Sequence, residues 1–137
     1  MREILFRGKQ KRGGEWVYGY FFAKPILEKY FIIYGEEQWM VDPETIGQWT
    51  GLVDVNGVKI FEGDMLEPPD DEIEKFCVEF YMGSFVVVSY GIRGAQTENG
   101  WDETAGGYGL IEREPLNNYY IDQFEVIGNI HDKAAEE

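Results

Sequence analysis

The chain has 137 residues with 44% hydrophobic and 16% aromatic content, enough for a packed core in one domain, or one domain with a small appended segment, and this excludes disorder. Twenty-six acidic against twelve basic residues leave a formal net charge of −14, which opposes duplex DNA or anionic membrane over most of the surface and favours solubility. A single cysteine allows no internal disulfide, and neither a signal stretch nor a run near the ~20 apolar residues of a membrane span is present, so a soluble, intracellular protein is expected.

The charge is unevenly spread: Arg2, Arg7, Lys9, Lys11 and Arg12 against Glu3 make the first twelve residues +4 and leave −18 for the rest. Residues 3–8 predict a short apolar strand ending at Gly8, and the charged, glycine-paired stretch 9–14 reads as a hairpin loop. Along 15–22, Trp16, Tyr18, Tyr20 and Phe22 share one face while Val17, Gly19 and Phe21 share the other, the period of a strand covered in part on both sides. A connection through Pro25 leads to Tyr30-Phe31-Ile32-Ile33-Tyr34, which should pair back on that strand before 35–38 turn the chain. Asp42-Pro43-Glu44 predicts one helical turn with Asp42 as N-cap and Pro43 in first position; Gly47 and Gly51 leave no room for a longer helix.

Asn56-Gly57 predicts a type I′ hairpin pairing Leu52–Val55 with Val58–Phe61, and Gly63-Asp64 punctuates the next strand. Pro68 and Pro69 stop that strand and hand over to an exposed acidic loop, Asp70-Asp71-Glu72-Ile73-Glu74. Phe76–Tyr81 and Phe85–Tyr90 make the clearest hairpin, with Phe76, Val78 and Phe80 on one face and Phe85, Val87 and Ser89 together on the partner. From Gly91 to Gly109, six glycines in nineteen residues and no sustained period predict a long irregular loop carrying Trp101 and Tyr108. A helical turn is expected within 118–124, a last strand over 125–130, and a loosely held tail from His131.

Short strands between turn signals, with no long amphipathic helix, make the expected fold class mostly β. Thr45-Ile46-Gly47-Gln48-Trp49-Thr50-Gly51-Leu52, followed by Ile60-Phe61-Glu62-Gly63-Asp64-Met65, resembles the signature of the YopX family of phage and prophage proteins. Arg2–Gly8 leading to Trp16-Val17-Tyr18-Gly19, and the closing Glu125-Val126-Ile127-Gly128-Asn129-Ile130, are similar to that family's two ends, so the resemblance spans essentially the whole chain. It implies a small SH3-like β-barrel over 45–137 with an N-terminal antiparallel β extension over 1–44, and the cytoplasm of a bacterial host; it implies no particular activity. His131-Asp132-Lys133-Ala134-Ala135 departs from the family's proline-containing finish.

Candidate chemistry is sparse. His131 is the single histidine, so no triad or His-based metal cluster can be assembled around a second one, and Cys77 in an alternating strand reads as a small hydrophobe. Gly106-Gly107-Tyr108-Gly109 lacks the spacing and the strand–loop–helix setting of a dinucleotide loop. Asp54-Val55-Asn56-Gly57 places its glycine at position four, where a calcium loop needs it at six. Clustered carboxylates at Asp70, Asp71, Glu72 and Glu74 read as solvated loop charge ahead of a divalent-ion site.

No catalytic residue, metal site or cofactor is therefore expected, and the favoured function is a non-enzymatic module binding a host or phage protein through Trp101, Tyr108, Asp70, Asp71 and Glu72. The alternative is nucleic-acid association through Arg7, Lys9, Lys11 and Arg12, with Trp16, Tyr18 and Tyr20 stacking bases. Trp16 and Trp49 are otherwise assigned to the core. Unpaired strand edges predict a homo-oligomer.

Overall fold

The computed structural model describes residues 3–69 and 75–132. They divide into two compact units, the first ending at Leu52 and the second beginning at Val53. The fold is mostly β, with antiparallel pairing throughout and helix confined to single turns.

In the first unit, β1 (Phe6–Lys9), β2 (Trp16–Lys24), β3 (Lys29–Tyr34), β4 (Glu37–Met40) and β5 (Gly47–Val53) pair in the order β4-β3-β2-β1-β5, the last residue of β5 opening the second unit. Val17, Ile32 and Val41 are its buried core, with Phe6, Tyr30, Trp39 and Ile46 packed around them. Fully burying a side chain such as Ile32 or Val41 contributes about 1.5–3 kcal/mol. The face carrying Tyr18, Tyr20 and Phe22 is open to solvent, against the expectation of partial cover on both sides. Trp16 and Trp49 are half-buried rather than core; the Trp49 indole donates to the Leu52 carbonyl at 2.8 Å. A Cβ on Gly19 would collide with the Ile33 backbone carbonyl, so only glycine lets β2 and β3 approach there. Asp42 caps the turn Pro43–Thr45 by accepting the Glu44 amide at 3.1 Å, as its sequence predicts.

In the second unit, β6 (Lys59–Phe61) precedes β7 (Asp64–Glu67), β8 (Lys75–Tyr81), β9 (Ser84–Thr97), β10 (Gly100–Pro115), α1 (Asn118–Ile121) and β11 (Glu125–Asn129). Sheet order is β10-β9-β8-β7-β11. Its core joins Ile60, Leu66, Val78 and Val87 to Tyr120 and Phe124 from the helical turn and the residues after it. The expected β8–β9 face is present in register, Phe80 opposite Phe85, Val78 opposite Val87 and Phe76 opposite Ser89.

Three further expectations are corrected. Among the described residues the pairings make open sheets, with β10 and β11 as the two edges of their sheet, and no closed barrel. The type I′ turn is absent at Asn56-Gly57: only Gly57 has positive φ, its amide bonds to the Asp54 carbonyl at 3.0 Å, and the Asp54 amide bonds to Val58 at 2.8 Å. That is a type I turn closed by a left-handed glycine, selected because the Asp54 carboxylate captures the Asn56 and Val58 amides at 2.8 and 2.9 Å. The two-residue turn with two positive φ values falls instead at Met82 (51°) and Gly83 (89°). Finally, residues 91–109 are no irregular loop but the outer parts of β9 and β10.

Candidate functional site: an aromatic ribbon and a basic turn

Among the described residues, Ser84–Tyr90 of β9 pair with β8, and beyond them β9 and β10 pair with each other as a ribbon. Its glycines serve close backbone approach. A register shift between Asp102 and Gly107 inserts a bulge, and a Cβ on Gly106 would lie 2.7 Å from the Gly94 carbonyl oxygen. Glycine density and bulge together erase the period-two pattern from the sequence.

Opposite residues of paired strands share a face, and so do residues two apart. Ile92 faces Tyr108, Gln96 faces Trp101, and the Trp101 ring lies over Gly94, where a Cβ would collide with it. One side of the ribbon is thus an apolar strip of Ile92, Tyr108 and Trp101, exposed by 52%, 59% and 66%. Carboxylates stand near Trp101 in sequence: Glu98, Asp102 and Glu103 are exposed, and Asp102, opposite Ala95 and therefore on the other face of the ribbon, is held below the usual carboxylate range by hydrogen bonds from the Thr104 amide and hydroxyl, each 2.9 Å.

The second constellation lies in the first unit, where Gln10 and Glu15 close a turn through a 2.9 Å backbone bond and Gly13 and Gly14 take φ of 91° and 73°. The four basic residues singled out from the sequence divide here. Arg7 is buried, its guanidinium 4.5 Å above the Trp16 ring, and Lys9 stacks on the same ring at 5.4 Å. Lys11 and Arg12 are exposed and line an open cavity of about 490 Å³ with Gln10, Gln38, Trp39 and Met40. The Lys11 amide bonds to the Met40 carbonyl at 3.0 Å and fixes the turn against β4. Sequence reasoning did not reach Trp39 or Met40, because Glu37-Gln38-Trp39-Met40 carries no alternation to mark a strand.

Asp70, Asp71 and Glu72 lie outside the described residues. Among the described residues, no three His, Cys, Asp or Glu side chains gather as metal ligands, and no helix is long and apolar enough to cross a membrane. Burial pushes the Cys77 thiol up to about 11, with Glu79 and Asp64 adding to the shift, which keeps it protonated at neutral pH. Burial, then the 2.5 Å bond to Glu114, raises the Tyr120 phenol; that same bond lowers the Glu114 carboxyl.

The family model described as YopX protein matches residues 5–135. The chain belongs to the YopX family. No curated protein matches it. In this YopX chain the motif residues near the middle do structural work. Thr45 Oγ1 accepts the Lys9 amide at 2.8 Å and donates to the Asp42 carbonyl at 2.7 Å, tying the turn to β1. Asp64, 1% exposed, accepts the Phe61 amide at 2.7 Å, and the Gly63 carbonyl accepts the Ile130 amide at 3.0 Å. Asp54 does not stand at the start of a calcium loop, and its carboxylate also accepts the Val126 amide at 2.8 Å. An Asp two residues before Asn-Gly was the available signal for that role.

Proposed function

We propose that this YopX protein is a phage- or prophage-encoded, non-enzymatic interaction module of the bacterial cytoplasm, and that the β9–β10 ribbon is its contact surface for a host or phage protein. The carrying observation is the solvent-exposed strip Ile92, Tyr108 and Trp101 on a ribbon that extends past its sheet. Aromatic side chains present rigid contact area, and an exposed aromatic strip on a strand pair is a surface that a partner can cover. Sheet order β10-β9-β8-β7-β11, with one helical turn before the last strand, supports an SH3-like connectivity for the second unit.

Nucleic-acid association draws less support: Arg7 is buried and shares Trp16 with Lys9, which leaves Lys11 and Arg12 of the four cations exposed on the basic turn. The test is capture from nuclease-treated bacterial lysate with wild-type protein and with Trp101→Ala/Tyr108→Ala. A stoichiometric protein retained by wild type and lost by the variant is expected. Equal retention by both would sink the ribbon as the contact surface, and recovery that vanishes with nuclease would move nucleic acid to first place.

A further inference from the structure

Charge divides at the boundary between the units. Residues 1–52 hold seven basic and seven acidic side chains, so the whole −14 belongs to residues 53–137. Within the neutral unit, Lys11 and Arg12 stand beside each other at an open cavity that no carboxylate lines. Trp39 and Met40 supply an apolar wall there and Gln10 and Gln38 supply amides. Within the acidic unit, the ribbon tip carries the complement: exposed Trp101, with Glu98 in the turn, Glu103 two residues on and Asp102 on the opposite face, and with Arg93 held back by its 3.1 Å bond to the Gly106 carbonyl.

We propose that the ribbon tip around Trp101 and Asp102 of one copy docks into the basic cavity at Lys11 and Arg12 of a second copy of this chain. The proposal rests on the ribbon being a contact surface and names one partner for it. The occupant is argued from charge complementarity: opposite potentials steer association and fix register, and a ribbon tip that carries one exposed aromatic side chain and three carboxylates on its two faces and its turn is the complement of a cavity with two cations. An aromatic anchor in a partly apolar pocket rimmed by charge is also the usual composition of an interface centre. Because the two surfaces differ, a contact made once is head-to-tail and builds a ring or an open chain, and the same contact made reciprocally by two copies closes a two-fold dimer.

The experiment is sedimentation velocity across a protein concentration series at about 50 mM and about 500 mM NaCl, ionic strengths that separate exposed charge pairs from other contacts. Wild type should associate at low salt and dissociate at high salt. Lys11→Glu/Arg12→Glu and Asp102→Lys/Glu103→Lys should each weaken association by about tenfold or more. An equimolar mixture of the two variants should regain it, since each then offers the other an opposite surface, and this regain also proves that both variants are folded. A monomer at every concentration and salt, or association that neither reversal weakens, overturns the proposal. Lysate capture separates it from the broader reading: a monomeric chain whose foreign partner is lost with Trp101→Ala/Tyr108→Ala overturns only the self-docking, whereas capture and association both indifferent to the ribbon overturn both.

Discussion

Replacing Asp54 by alanine tests whether one buried carboxylate organises the second unit. The side chain is 4% exposed and accepts three backbone amides, those of Asn56 and Val58 within the turn and that of Val126 on β11. A hydrogen bond to a charged acceptor contributes about 1.5–3 kcal/mol, but the freed Asn56 amide can reach water, so the three bonds do not simply add. The expected loss is about 3–4 kcal/mol, a large part of the 5–15 kcal/mol typical of a domain, with a fall of roughly 10 °C in Tm. Asp54→Asn should lose about half as much, because its carbonyl oxygen can keep the two turn bonds while its amide confronts the Val126 N–H. Urea unfolding followed by tryptophan fluorescence measures both. A loss below about 1 kcal/mol for alanine, or asparagine costing as much as alanine, would refute this account of the carboxylate.

The turn at Met82-Gly83 supplies a test in the opposite direction. Met82 is almost fully exposed with φ of 51°, a conformation asparagine tolerates better, so Met82→Asn should stabilise by about 0.5–1 kcal/mol; a loss in the same urea assay would contradict the assigned turn. Gly19→Ala should cost about 2–3 kcal/mol by forcing β2 from β3, and unchanged stability would show that the close approach is not required. Cys77 titrates near 11, up from its ordinary 9.0, so native protein should alkylate about 100-fold more slowly at pH 8 than an exposed cysteine, measured by iodoacetamide labelling. The neutral thiol's contribution to stability is complete below about pH 9 and is lost as pH rises through 11; fast labelling of folded protein at pH 8 would contradict its burial.

Elements whose signal is local were legible in the sequence. Strict alternation gave β8 and β9 their faces, although the turn expected over Met82-Gly83-Ser84 is shorter by one residue because Ser84 pairs with Tyr81, and Asp42-Pro43 announced its own cap. What escaped depended on partners distant in the chain. β4 has no periodicity of its own and is a strand because β3 pairs with it, Phe31 opposite Met40 and Ile32 opposite Trp39. The ribbon was hidden because its bulge breaks the period and its glycines answer backbone approach across the pair, which no single strand can display. Asn56-Gly57 marked a turn in the right place, while the turn type was decided by the Asp54 side chain, a competition that dipeptide preference alone does not weigh. For the candidate site, aromatic composition singled out Trp101 and Tyr108; the cavity at Lys11 and Arg12 required β4, and so it stayed out of view.

The position of β11 has a consequence for biosynthesis. β7 pairs with β8 on one side and with β11 on the other, and Phe124, just before β11, belongs to the core. A ribosome releases β7 to β10 well before β11, so for that interval the nascent unit holds a bare strand edge on β7 and a core lacking Phe124. Such an edge is a template for pairing with a neighbouring nascent chain. Slow translation or a premature stop between codons 115 and 125 would therefore yield a species that holds β7 to β10 and is open along the line where β11 should lie.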